Sequence, residues 1–191
     1  LVTVLDPLHL GVLLFSRSSA WVEALRNGDP FWRQVLLEFG IDDDRAAAEP
    51  TLRPSIIPSL LWVGGHNHDL GAASVRLFET GSTFDRVPDG HRETRRIGLL
   101  ADPPAGTDGR DALETAQSAF GVVRTSVDRI ADRLGCSSVE VVPTPAAGFD
   151  AAGEILFDGR SVGVIGTVAA DVAARTGHEH PVAAAELVLG P

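Results

Sequence analysis

The chain has 191 residues, a formal net charge of −10, one cysteine, no lysine and 44% hydrophobic residues. That length suffices for one core with a small annex, and that composition is globular rather than disordered. The acidic balance argues against a general grip on nucleic acid, the lone Cys136 excludes an internal disulfide or a cysteine-built zinc site, and no apolar run approaches the roughly 18–20 residues that cross a bilayer. The chain begins at Leu1 and contains no Met, so it is expected to be an excised domain or a processed piece, with no signal peptide and a cytoplasmic location.

Leu1–Leu5 is a β-prone run closed by Asp6-Pro7, and 8–17 is ambiguous between strand and helix. Ser18 or Ser19 is placed to cap a short helix with Trp21, Val22 and Leu25. Asp29-Pro30 opens another, with Phe31, Trp32, Val35, Leu36 and Phe39 on one face and Gly40 as its stop. Arg53 precedes Pro54, which pushes it out of the helical region. Ser55 is then predicted to cap a helix with Pro58 in its first turn and Ile57, Leu60, Leu61 and, less regularly, Trp62 on its apolar stripe, ending at His66–His68 after Gly64-Gly65. Residues 74–84 predict a strand with Val75, Leu77 and Glu79 on one side, Arg76, Phe78 and Thr80 on the other, and a bend or end at Gly81.

Val87-Pro-Asp-Gly90 is a turn, and Arg95–Ala101 a strand. Arg110–Leu134 is the clearest helix, with Leu113, Phe120, Val123, Val127, Ile130 and Leu134 as its expected buried side and Gly135 as its stop. Ser138–Val142 is a strand. Gly153–Phe157 and Arg160–Thr167 form a hairpin around Asp158-Gly159, Ala169–Arg175 a short helix, and Val182–Leu189 a last strand. Successive hairpins predict an α+β fold, with a mainly antiparallel sheet and helices on one face. The organisation expected is an annex over 1–50 and a main domain over 51–191.

Chemistry is sparse. His66-Asn-His68 and His178-Glu-His180 could offer paired imidazoles to zinc, but a helix end and a loop are the wrong backbone for that. They read as polar surface residues, and no metal site is assigned. There is no Gly-x-Ser-x-Gly elbow and no Walker lysine. Glu79, Glu154 and Glu186 fall in strands, where an open sheet face would leave them solvated. Cys136 follows a helix C-terminus, the end that does not activate a thiolate. No catalytic and no cofactor-binding residue is assigned.

One stretch carries a resemblance. Leu52-Arg-Pro-Ser-Ile-Ile-Pro-Ser-Leu-Leu61 followed by Val75-Arg-Leu-Phe-Glu-Thr-Gly-Ser-Thr-Phe84 resembles the "L-R-x-S-L-L-P-G-L-L" helix start and "R-L-F-E-I-G-x-V-F" strand of the phenylalanine–tRNA ligase beta subunit. Arg95–Ala101, Arg110–Leu134, Gly153–Gly166 and Ala170–Leu189 are similar to later segments of that family, in the same order. The resemblance implies a class II aminoacyl-tRNA synthetase catalytic-like domain over 51–191. It also implies a non-catalytic role supporting an alpha-type catalytic subunit in phenylalanyl-tRNA formation. It places ATP and Mg in that partner, with no cofactor bound by this chain, and tRNA engaged only indirectly. Arg53, Ile57, Leu60 and Leu61 become the expected interface, towards the alpha-type subunit or a second copy. The last strand, Val182-Ala-Ala-Ala-Glu-Leu-Val-Leu189, lacks the arginine of the class II signature, and Pro145–Asp150 stands where the family has "H-P-G-R-S-A". The alternative is a stand-alone synthetase-like paralogue that binds or regulates in another pathway.

Overall fold

The computed structural model describes residues 53–88, 90–103 and 111–189, together with the backbone of Val2–Leu5 and Leu10–Leu13. The helices expected around Trp21 and Phe31 lie outside the described residues, as does the boundary expected at residue 50.

The elements in chain order are β1 (Val2–Leu5), β2 (Leu10–Leu13), α1 (Ile57–Asp69), β3 (Arg76–Val87), β4 (Gly90–Ala101), α2 (Ala112–Leu134), β5 (Val139–Pro143), β6 (Phe149–Phe157), β7 (Arg160–Val168), α3 (Ala170–Arg175) and β8 (Ala183–Val188). The strands form one sheet in the order β2-β1-β3-β4-β8-β7-β6-β5. Every neighbouring pair is antiparallel. The α+β, antiparallel class expected from the sequence is thus the observed one. β1 and β2 extend the same sheet from the β3 side.

The helices do not share one face. α1 and α3 cover one side of the sheet, with Ile57, Leu60, Leu61, Val172 and Ala173 packed on Val75, Leu77, Leu100 and Ala184. α2 covers the other, with Ala119, Val123, Val127 and Ala131 packed on Leu99, Ile165, Ala183, Ala185 and Leu187. The reason is visible in β4 and β8. Leu99-Leu100-Ala101 and Val182–Ala185 are continuous apolar runs rather than alternating ones, and such strands bury both faces.

Gly81, expected to bend or end its strand, instead lets it continue, and Gly64-Gly65 lie inside α1 ahead of the helix end expected at His66–His68. A Cβ on Gly65 would sit 1.9 Å from the Thr176 carbonyl oxygen, so α1 passes through Gly64-Gly65 in close contact with the chain after α3 and ends at Asp69. A Cβ on Gly81 would sit 2.1 Å from Nη2 of Arg53, so β3 runs straight through to Val87 with a guanidinium laid over its missing side chain.

α2 begins as its sequence requires, with the Asp111 carboxylate accepting from the Glu114 N–H at 2.7 Å, and it ends on Gly135 at φ 77°. Its buried stripe differs from the expected one. Thr115, Ala119, Val123, Val127 and Ala131 face the sheet, while Leu113 and Leu134 are 67% and 65% exposed. Residues four apart give the contact line, and their small size lets the helix lie close to the strands.

Candidate functional site

The most concentrated chemistry on the α1 face is a charge network under the start of that helix. Pro54 keeps Arg53 extended, and the Arg53 carbonyl accepts the Phe84 N–H at 2.9 Å. From there its guanidinium pairs with Oε1 of Glu79 and donates from Nε to the Ser82 carbonyl at 3.1 Å. Arg96 on β4 donates from Nε to Thr83 Oγ1 at 2.8 Å, with Nη1 3.4 Å from Glu186 Oε2 and Nη2 3.8 Å from Asp85 Oδ2. Glu186 Oε1 accepts the Ile56 N–H at 2.6 Å and the Ser55 hydroxyl at 3.0 Å.

Ser55 therefore does not cap the helix alone. The cap position falls on Ile56, which has no capping side chain of its own, and a carboxylate from the distant β8 receives its N–H. Ser55 relays the arrangement, since its hydroxyl accepts the Ile57 N–H at 3.2 Å while donating to Glu186. Burial pushes the Glu186 carboxyl above the ordinary carboxylate range. The Ile56 N–H, the Arg96 guanidinium, the Ser55 hydroxyl and Arg53 pull against it.

Glu79 and Glu186 are thus not the solvated strand residues that the sequence suggested; they are 8% and 5% exposed. A readable signal existed for each. Glu79 shares its strand parity with Val75 and Leu77, and Glu186 interrupts a strand that is apolar on both sides. A charge in such a place has to be paired.

Of the four residues expected at an interface, Arg53 is committed to Glu79, and Ile57, Leu60 and Leu61 are 2%, 0% and 0% exposed inside this chain's own core. The outward residues of the same helix are the half-buried Trp62 and the exposed His66 and Asp69, with Leu70 just beyond at 74% exposure.

Two open grooves lie elsewhere among the described residues. One, of about 470 Å³, is lined by Ile130, Leu134, Cys136, Phe157 and Val162. The other, of about 310 Å³, is lined by Trp62, His66, Asp69 and Arg175. Neither reaches the Arg53–Glu79 and Arg96–Glu186 pairs. These pairs saturate one another, so the network orients the helix start and offers no nucleophile to a substrate. Away from it, the histidine pairs split. His68 and His178 approach Asp102, while His66 stacks on Trp62 with ring centroids 5.5 Å apart and His180 is exposed.

Comparison with known proteins gives a consistent picture. The family model described as the phenylalanyl tRNA synthetase beta chain CLM domain matches residues 13–189. The phenylalanine–tRNA ligase beta subunit of Pseudomonas syringae pv. tomato is 30% identical over 176 residues, covering 84% of this chain and 21% of that protein. The corresponding subunit of Paramagnetospirillum magneticum is 27% identical over 149 residues, covering 72% of this chain and 18% of that protein. The chain therefore spans about a fifth of the length of these relatives. Among solved structures, a pyrrolysyl tRNA synthetase from Desulfitobacterium hafniense superposes with a TM-score of 0.61 at 13% identity, covering 82% of this chain and 56% of that one.

Proposed function

Because this chain belongs to the phenylalanyl tRNA synthetase beta chain CLM domain family, we propose that it is a non-catalytic synthetase-like module that supports an alpha-type catalytic subunit in phenylalanyl-tRNA formation. The observation that carries this reading is the internal pairing of the cations on the α1 face. Arg53 is held by Glu79, and Arg96 by Glu186 with Asp85 near by. At the last strand, Ala183–Ala185 and a buried glutamate stand where the class II signature has its arginine. A triphosphate needs uncommitted cations converging on an open cleft, and a guanidinium already paired with a buried carboxylate does not supply one.

On this reading ATP and Mg belong to the partner, and tRNA is engaged by the assembly rather than by this chain. The charge network sets the angle at which α1 leaves the sheet. Ile57, Leu60 and Leu61 act through the helix they anchor, and the surface offered to the alpha-type subunit is the outward line of Trp62, His66, Asp69 and Leu70. An exposed leucine beside an aromatic–imidazole stack has the apolar centre and polar edge of a protein interface.

The test is to mix the purified protein with the cognate alpha-type subunit and follow the mass by light scattering, with the protein alone assayed for phenylalanine-dependent pyrophosphate exchange. A stable complex at micromolar concentration, weakened by Leu70→Asp, and no exchange by the protein alone are expected. Absence of any complex would overturn the scaffold role and favour a stand-alone paralogue. Exchange by the protein alone would overturn the non-catalytic assignment.

A further inference from the structure

His68, at the end of α1, and His178, after α3, are 110 positions apart in the chain, and Asp102 closes β4 between them. The fold brings one ligand atom from each to within 4.8 Å of the others. Nε2 of His68 lies 2.6 Å from Asp102 Oδ2, Nδ1 of His178 lies 3.3 Å from Asp102 Oδ1, and the two rings meet edge to face with centroids 5.3 Å apart. Asp102 and His178 are 3% and 4% exposed.

The hydrogen bonds around the cluster decide where its lone pairs point. A carbonyl oxygen only accepts, so Nε2 of His178, 3.1 Å from the Leu61 carbonyl, carries a proton, and the ring turns its Nδ1 towards Asp102. His68 is held the same way at its other nitrogen. Nδ1 donates to the Ala72 carbonyl at 2.8 Å, leaving Nε2 to face the carboxylate. Asp102 Oδ2 is also held by the Val75 N–H at 3.0 Å. What remains is Asp102 Oδ1 and His178 Nδ1, both fully buried, facing each other and without a hydrogen-bond partner. Two imidazole nitrogens and a carboxylate from three separate segments thus converge on one point.

We propose that His68 Nε2, His178 Nδ1 and Asp102 Oδ1 form a binding site for a divalent transition-metal ion of the zinc class. Two imidazoles and one carboxylate are a donor set that this class of ion takes. Metal-bound histidines characteristically donate their second ring N–H to a backbone carbonyl, as both do here. Zinc–ligand bonds of about 2.0–2.2 Å separate tetrahedral ligands by roughly 3.3–3.5 Å; His178 Nδ1 and Asp102 Oδ1 already stand 3.3 Å apart, and His68 Nε2 has to move off Asp102 Oδ2 to join them. His68, 23% exposed at its side chain and at a helix end, is the ligand with room to do so by turning about its Ala72 hydrogen bond. Its solvent side leaves the fourth position to water. Such an ion would tie α1, β4 and the segment before β8 together at one point, on the side of the sheet that the charge network pins from the other end of α1.

The test uses untagged, chelator-treated protein titrated with Co(II) and then Zn(II), reading visible d–d absorption and binding heat. One equivalent of Co(II) should bind with the intense absorption of a four-coordinate ion, and Zn(II) should displace it. Asp102→Asn retains an oxygen for the Val75 N–H, and together with His178→Ala it should weaken uptake by at least about tenfold. His66→Ala and His180→Ala, the other members of the two pairs, should leave it unchanged. If His178→Ala fails to fold, His68→Ala at the helix end gives the same reading. No uptake by the unaltered protein, uptake that survives the loss of these ligands, or uptake lost with His180→Ala would overturn the site. No uptake would assign the cluster to a hydrogen-bonded histidine–aspartate–histidine group instead.

Discussion

On the α1 face the sheet meets large branched side chains, Ile56, Ile57, Leu60 and Leu61 over Val75, Leu77 and Leu100, and the same face carries the buried charges Glu79, Glu186 and Asp102. On the α2 face the contact line is small, Ala119, Val123, Val127 and Ala131 over Leu99, Ile165 and Leu187. The difference follows from how each helix is held. α2 has 23 residues, caps itself at both ends and needs only a shallow apolar seat. α1 is shorter at 13 residues, starts without a capping side chain of its own and contains two adjacent glycines. Helix propensity cannot hold such a segment. It depends on deep packing and on polar groups sent from β3, β4 and β8. A helix that stands by itself can be seated by small residues, whereas one that does not must be fixed from outside.

The largest effect should come from breaking the α1 seat. Leu60→Ala removes a fully buried side chain and should cost about 2–5 kcal/mol in urea unfolding. Val127→Ala on the α2 face, equally buried but smaller, should cost less. A larger cost for Val127→Ala would dissolve the contrast between the two faces.

Next in size is the charge network. Glu79→Gln leaves the Arg53 guanidinium facing a neutral amide in a half-buried place and should cost about 1–3 kcal/mol. The half-buried but more open i, i+4 pair Arg124–Asp128 on α2 provides the comparison, and Asp128→Ala should change stability by no more than about 0.5 kcal/mol. Equal effects at the two pairs would mean that the α1 network contributes no more than surface charge does.

A pH dependence should mark Glu186. Its folded-state pKa is raised, so the folded protein binds this proton more tightly than the unfolded chain does. The stability it confers is full below the unfolded pKa and is lost as pH rises through the folded one. Glu186→Gln keeps an oxygen for Ile56 and Ser55 and removes the titration. Between about pH 4 and 7, the melting temperature of the unaltered protein minus that of the variant should fall as pH rises. A rise would show that Arg96 outweighs burial at this carboxyl. The smallest effect is expected at Leu113→Ser on the exposed side of α2, within about 0.5 kcal/mol by the same unfolding measurement.

Local chemistry determined much of this protein. Asp111 and Gly135 bound α2, Asp158-Gly159 closes the β6–β7 hairpin, and the alternation of Val75, Leu77 and Glu79 sets one face of β3, all from neighbours in the chain. Antiparallel topology followed from successive hairpins, and the order of the segments from Leu52 onward carried the family resemblance. Only the tertiary structure decided the rest. Gly81 looks like a break until Arg53 is seen against it, and the need for Gly65 is visible only with Thr176 against it. Leu113 and Leu134 fit a helical stripe, yet the sheet accepts the smaller line beside them, because close approach of helix to strand favours alanine and valine over leucine. Glu186 caps a helix 130 positions earlier, and one histidine from each of two pairs meets an aspartate that neither pair reveals. Periodicity, capping and turn chemistry act within a few residues and can be read along the chain. Charge pairing and ligand convergence depend on which strands become neighbours, and that is fixed only when the sheet closes over its helices.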